Sequence, residues 1–344
     1  SLDQALLNRA LGSLKSTTLT LGDGADSLTV AEGEAAGADG KTEFSSINMG
    51  GGNDTLRLQS AKGTSIELGS GNNELAVSTS GTSLTISSGA GADSVTIAAL
   101  ANSTLNLGAG ENTLALSAGE NITVTLGQDK DNVTLGDVEN AKIELGGSAG
   151  GADSVHVTGD TEDLYISNTA GSTELTIDGG KLQQGLNVYM GSGRDTLNVG
   201  SEDVAAILND AYINVGRPVF DNSGNVNNDA SGNVVNMYLQ KVVAASNTDL
   251  TVAIAGNVSS GNIQMVTPSD IPAGQKAFMN MQLGSTNKEE VSYFKDTDIT
   301  FTAGQNTLSV LGVTELNNSS LKFEAQSTNS ITMGMVKDST NAMV

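Results

Sequence analysis

Apolar residues recur along this chain as short apolar–any–apolar runs on either side of a glycine-rich turn. "LTLGDGADSLTV" (Leu19 to Val30), "INMGGGNDTLRL" (Ile47 to Leu58), "IELGSGNNELAV" (Ile66 to Val77), "LNLGAGENTLAL" (Leu105 to Leu116) and "VTLGQDKDNVTL" (Val124 to Leu135) share this form. "LTISSGAGADSVTI", "IELGGSAGGADSVHV" and "LNVYMGSGRDTLNV" carry slightly longer turns, and "LYISNTAGSTELTI" is a degenerate copy. The last apolar residue before a turn and the first after it are usually seven apart, as in Leu21 to Leu28 and Leu107 to Leu114. The repeat is therefore about 19 to 22 residues, in about nine copies. A period of two predicts short strands with one buried face. Two strands and two turns make one coil, which cannot bury its apolar face alone, so the stack is the folding unit. The fold class is all-β, a parallel β-solenoid.

Other segments break the pattern. "SLDQALLNRALGSLKS" places Leu2, Leu6, Leu7, Ala10, Leu11 and Leu14 on one helical face, which predicts a capping helix within residues 1–18 over an open solenoid end. A polar loop fills the return turn between Val30 and Ile47. The solenoid proper spans 19–200. A decorated region follows over 201–296, with a predicted short helix in "SEDVAAILNDAYINVG" and a turn-rich, hairpin-like insertion at about 216–249. "ITFTAGQNTLSV" (Ile299 to Val310) aligns without gaps on "LNLGAGENTLAL", so 297–344 resumes the pattern, either on the same stack or on a second one.

Composition narrows the chemistry. The formal charge is −23, which argues against a nucleic-acid partner and suits divalent cations or a very soluble surface. The absence of Cys excludes disulfides and Cys-based metal sites. No run approaches ~18 consecutive apolar residues, so no transmembrane helix is predicted. No basic-then-apolar leader opens the chain, so an exported form would carry its signal elsewhere or be processed. The one histidine, His156, lies between two inward valines and should face outward. No P-loop, nucleophile elbow or H-E-x-x-H motif is present, and the chain is not expected to be an enzyme. Tyr165 and Tyr189 look too few and too far apart for a sugar platform.

"GGGNDTLRL", "GSGRDTLNV", "GDGADSLTV" and "GAGADSVTI" resemble the glycine-rich nonapeptide of RTX proteins, which forms a calcium-binding parallel β-roll. In that family, turn carbonyls and the Asp carboxylate hold Ca²⁺ between stacked turns. Carried onto this chain, the resemblance implies Asp26, Asp54, Asp93, Asp131, Asp153 and Asp195 as calcium ligands. Only one turn per coil keeps the glycines here. Asn73, Asn112 and Asn306 replace Asp at the ligand position, and Glu174 sits in the degenerate copy. Asparagines can ladder on themselves without metal. The resemblance implies an extracellular, cell-surface protein exported by a type I route: a surface-layer, filament or adhesin segment that self-assembles or binds other surface proteins or a cell-surface glycan. A phage or secretion-system appendage (tail fibre or spike) is the alternative, and a solenoid carbohydrate-active enzyme a second one.

Overall fold

The computed structural model describes residues 17–35, 44–147, 152–191, 193–216, 232–244, 251–267, 271, 273, 275–284, 292–311, 313–324 and 327–334. The chain forms a parallel β-solenoid of about 11 turns, with coils of about 22 residues. By compactness it divides after Ser154, and the two units are taken in turn.

In the first unit each coil carries two strand columns. The column after the glycine turn stacks Leu28, Leu56, Leu75, Val95, Leu114 and Val133 directly on one another. The column before it stacks Ile47, Ile66, Ile86, Leu105, Val124 and Ile143. All twelve are buried. Each contributes roughly 1.5–3 kcal/mol by leaving water. From Asp54 to Asp131 successive coils are offset by 19 or 20 residues, a tighter repeat than the average over the whole chain; the coils before and after are offset by 28 and 22.

The glycine turn needs its glycines for two reasons. Gly69 and Gly71 have φ of +83° and +110°, in the region other residues avoid. Their backbone also lies against the coil before: a Cβ on Gly71 would stand 2.0 Å from the Gly52 carbonyl oxygen. The second turn needs one left-handed residue, which is Gly63 in one coil and a non-glycine residue in the next four. Ser83, Asn102, Asn121 and Asn140 take left-handed φ of 48° to 54° there. Asn tolerates this conformation better than most residues. The asparagines also ladder, Asn121 Nδ2 donating to Asn102 Oδ1 at 3.2 Å and Asn140 Nδ2 to Asn121 Oδ1 at 2.6 Å. This hydrogen-bonded corner lets the two strands run together as one bent element, such as Thr113–Thr125 or Asn132–Leu145.

The second unit keeps the parallel stacking with longer, uneven coils. Ser172–Ile177 pairs with Thr196–Val199, which pairs with Val234–Gln240, then Ser260–Val266, Thr297–Phe301 and Ser320–Phe323. The C-terminal third therefore continues the stack of this unit. Asp163, Asp210, Asp296 and Asn318 occupy the left-handed corner, with φ of 45° to 51°. Val242–Ala244 departs from the rule and runs antiparallel to Lys276–Leu283.

The helix expected in 201–216 is not formed. Ile207–Asn209 and Ala211–Asn214 are strands, pairing with Leu182–Gln184 and Asn187–Tyr189. The inward residues Ala211, Ile213 and Val215 alternate, and Asp210 turns the corner that a helix would have to pass through. The N-terminal capping helix lies outside the described residues, except that Thr17 and Thr18 begin a strand, Thr17–Thr20. Residues 36–43 of the loop between Val30 and Ile47, and residues 217–231 and 245–249 of the insertion, also lie outside them. Among the described residues no helix is long and apolar enough to cross a membrane.

One buried cation lies in the second unit. Lys241 is 1% exposed, and its Nζ donates to the carbonyls of Thr302 at 2.7 Å and Ala303 at 2.6 Å. Burial pushes it down to about 8, against the attraction of Glu324. Lys241→Met keeps the length of the side chain but removes the donors, leaving the Thr302 carbonyl poorer by one bond. The variant is expected to lose roughly 1–3 kcal/mol in urea unfolding. Unchanged stability would show that the ammonium adds nothing.

Candidate functional site: a buried polar column

The residue two places before the first apolar position after each glycine turn shares its inward parity. It therefore points into the solenoid, although it is polar. In the first unit this position reads Asp26, Asp54, Asn73, Asp93, Asn112, Asp131, Asp153. From Asp54 onward each is at most 2% exposed. The structure thus brings six of these seven into one buried column, with Asp26 at its less buried end.

One hydrogen bond repeats from coil to coil. The side-chain Oδ1 of each member accepts the backbone N–H of the member before it. The bonds run from Asp26 N to Asp54 (2.8 Å), Asp54 N to Asn73 (3.0 Å), Asn73 N to Asp93 (2.8 Å), Asp93 N to Asn112 (3.1 Å), Asn112 N to Asp131 (2.9 Å) and Asp131 N to Asp153 (3.0 Å). The second unit repeats the arrangement: Thr173 N donates to Asp195 Oδ1 and Asp195 N to Asn233 Oδ1, each at 2.8 Å.

The second side-chain atom separates Asn from Asp. Asn73 Nδ2 donates to the Gly71 carbonyl at 3.0 Å, with Gly69 O at 3.5 Å. Asn112 Nδ2 does the same to Gly110 O at 2.8 Å, with Gly108 O at 3.5 Å. The position facing the turn carbonyls is thus a donor position. In Asp54, Asp93, Asp131 and Asp195 it holds Oδ2, which is buried and has no hydrogen-bond partner. Burial raises Asp54 above the usual carboxylate range, opposed by the Asp26 N–H and reinforced by the Asp26 charge. Burial pushes Asp131 up to about 6, opposed by hydrogen bonds from the backbone and side chain of Asn112 and reinforced by the Asp153 and Asp129 charges. Asp195 rises to about 7, by burial and against the Thr173 N–H.

Calcium needs six to eight oxygens at ~2.3–2.6 Å. Asp54, Asp93, Asp131 and Asp195 each offer one oxygen without a bond, plus the carbonyls of their own turn. The carbonyls of the Asn73 and Asn112 turns are already held by the amides. The carboxyl oxygens are buried, while the turn carbonyls beside them are half-buried. Among the described residues no three His, Cys, Asp or Glu side chains converge on a common point. Calcium at these turns is what the resemblance implies, and the described residues offer one unpartnered carboxyl oxygen per turn at Asp54, Asp93, Asp131 and Asp195. Asp153 lies beside residues 148–151, which are outside the described part.

In the degenerate copy Thr173, and not Glu174, holds the column position, and Glu174 is exposed; Asn233 takes it in the coil after Asp195. The longer turns around them break the regular spacing that marks the first unit. Asn306 was recognised, and it is 3% exposed with Nδ2 donating to Asn329 Oδ1 at 2.7 Å.

The outer surface differs from expectation at one place. Tyr165 and Tyr189 lie in adjacent coils with ring centroids 5.6 Å apart, and Tyr189 and Tyr212 follow at 5.5 Å. Stacking brings together what sequence distance separated, and the three rings make an outward row. His156 does face outward, with its Nε2 2.8 Å from Asp178 Oδ1. A scan of protein-family models, a search of curated proteins and a search of solved structures each found no match for this chain.

Proposed function

We propose that the protein is a non-enzymatic structural or adhesive element of a cell surface: a stiff acidic scaffold of the surface-layer, filament or adhesin type. Extracellular placement and type I export belong to the same reading. The observation that carries it is the polar column. Interior side chains that could serve chemistry instead bond each coil to the next, which resists opening of the stack. A charge of −23 keeps the outer faces soluble and mutually repelling until a partner or a cation screens them. The tyrosine row favours a glycan as partner, because aromatic rings stack on sugar faces.

Electron microscopy and sedimentation of the purified chain test this. Ordered sheets or filaments are the expected outcome. A stable compact trimer would favour the tail-fibre or spike reading, and a monomer at every concentration, with or without added glycan, would sink the scaffold. Calcium is not needed for the column in this proposal. Melting curves with and without EGTA should therefore superimpose, and a large loss of Tm in EGTA would restore the calcium reading.

A further inference from the structure

We propose, resting on the glycan partner inferred above, that the tyrosine row of the second unit takes a cationic glycan: a polymer of amino sugars with free amines. Tyr165, Tyr189 and Tyr212 step through three successive coils, with ring centroids 5.6 and 5.5 Å apart and planes tilted by 41° and 45°. Tyr165, Asn187 and Tyr212 are in register in one column, and Tyr189 stands two residues further along its strand. Its ring nevertheless meets both of the others, so the three make one continuous strip. Tyr189 is the most exposed of them, at 36%.

The same chain supplies a comparison. In the first unit the left-handed corner is asparagine in three coils, and the outward residue two places on is Thr or Lys: Asn102 and Thr104, Asn121 and Thr123, Asn140 and Lys142. In the coils of the row the corner residues are Asp163, Gly185 and Asp210, followed two places on by Tyr165, Asn187 and Tyr212. Aspartate and tyrosine thus come in together. Asparagine suffices to turn the corner, so the carboxylates are not there for the fold alone. Asp163 and Asp210 are exposed, as is Glu162. Gly185 leaves room for the first carboxylate, since a Cβ there would collide with Asp163 Oδ1.

Rings and carboxylates together select the ligand. An aromatic face attracts a cation, and Asp163 and Asp210 add opposite charge in the first and third coils of the row. A net charge of −23 repels uronic acid or sulfated polymers. Nucleic acid bases also stack on aromatic rows, but their phosphates meet the same repulsion. The row carries one ring per coil, so it offers like contacts at equal steps of ~4.8 Å along the stack. A polymer of identical rigid rings can use every step, whereas an extended peptide sends alternate side chains to opposite faces. Asn187 is exposed between Tyr165 and Tyr212. Its Nδ2 is held by the Gly185 carbonyl at 3.1 Å, which leaves Oδ1 to accept from an amine or a hydroxyl.

The test is isothermal titration of the full chain with glucosamine oligomers, beside N-acetylglucosamine and uronic acid oligomers of the same length. Glucosamine oligomers should bind, less tightly as salt rises, and the other two should bind roughly tenfold more weakly or worse. Tyr189→Ala should weaken glucosamine binding roughly tenfold, and Tyr189→Phe should restore it. Asp163→Asn with Asp210→Asn puts the first unit's own corner residue at both corners, so the fold should hold while the preference for the free amine disappears. The proposal is overturned if no glucosamine oligomer binds, if the N-acetylated oligomer binds as tightly, or if Tyr189→Ala binds like wild type. It is equally overturned if oligolysine binds as tightly with the same dependence on Tyr189, which would point to a basic peptide. Assembly is read separately by microscopy, so ordered sheets without glucosamine binding would remove this proposal and leave the scaffold standing.

Discussion

Gly69→Ala is expected to destabilise the first unit by about 2–5 kcal/mol, the sum of left-handed strain and overpacking. At φ +83° an alanine is strained whatever space it has. Its Cβ would also fall 1.5 Å from the Gly50 carbonyl oxygen. That oxygen is backbone and cannot rotate away, so the two coils must part locally. Parting them lengthens the bonds that bind this turn to its neighbours, including Met49 N to Glu67 O at 2.9 Å and Gly52 N to Ser70 O at 2.9 Å. Gly63→Ala is the matched control. It has φ +62° but nothing within 4 Å of its Cβ, so only the conformational cost of roughly 1–2 kcal/mol applies. Urea unfolding of the two variants separates close approach from backbone strain. Equal losses would show that the coils yield easily at Gly69.

Gly69 also shows which parts of the fold can be read from sequence. Its turn returns every 19 to 20 residues because backbone is stacked on backbone, and that constraint writes glycine into each coil. The inward leucines are equally plain, since a period of two follows directly from the pleat. The second turn was harder to see. Asn102, Asn121 and Asn140 recur at 19 residues, yet asparagine is common in loops and the signal is one residue wide. The helix expected in 201–216 failed because its apolar residues suit either period, and neighbouring strands in the stack decided between them.

The candidate site was half legible. The positions of Asp54, Asp93, Asp131 and Asp195 were clear from the motif, and resemblance supplied calcium as their purpose. Parity was already in the sequence: D-x-U-x-U puts the acid on the same face as the leucines. What could not be read was the second atom of each side chain. Only the path of the turn shows that Asn73 and Asn112 donate to carbonyls there, and hence that the position calls for a donor rather than for charge.

Asn112 gives the sharpest test of that column. Asn112→Ala removes the acceptor of the Asp93 N–H and the donor to the Gly110 carbonyl. The first bond is buried, and the second is half-buried. At about 1–3 kcal/mol for each orphaned group, the loss should be roughly 2–6 kcal/mol. Asn112→Asp asks a narrower question. Oδ1 can still accept, but Nδ2 becomes an oxygen facing Gly110 O, and a carboxylate now lies between Asp93 and Asp131. Protonation repairs both faults at once. The Asp variant should therefore approach wild-type stability near the ordinary carboxyl range of about pH 4 and fall away as pH rises, whereas the Ala variant should be weak throughout. Chemical unfolding of both variants across that range checks the contrast. If Asn112→Asp matches wild type at neutral pH in EGTA, the position accepts charge and the donor requirement is wrong. If it matches wild type only with calcium present, the ion has a seat that the amide normally fills.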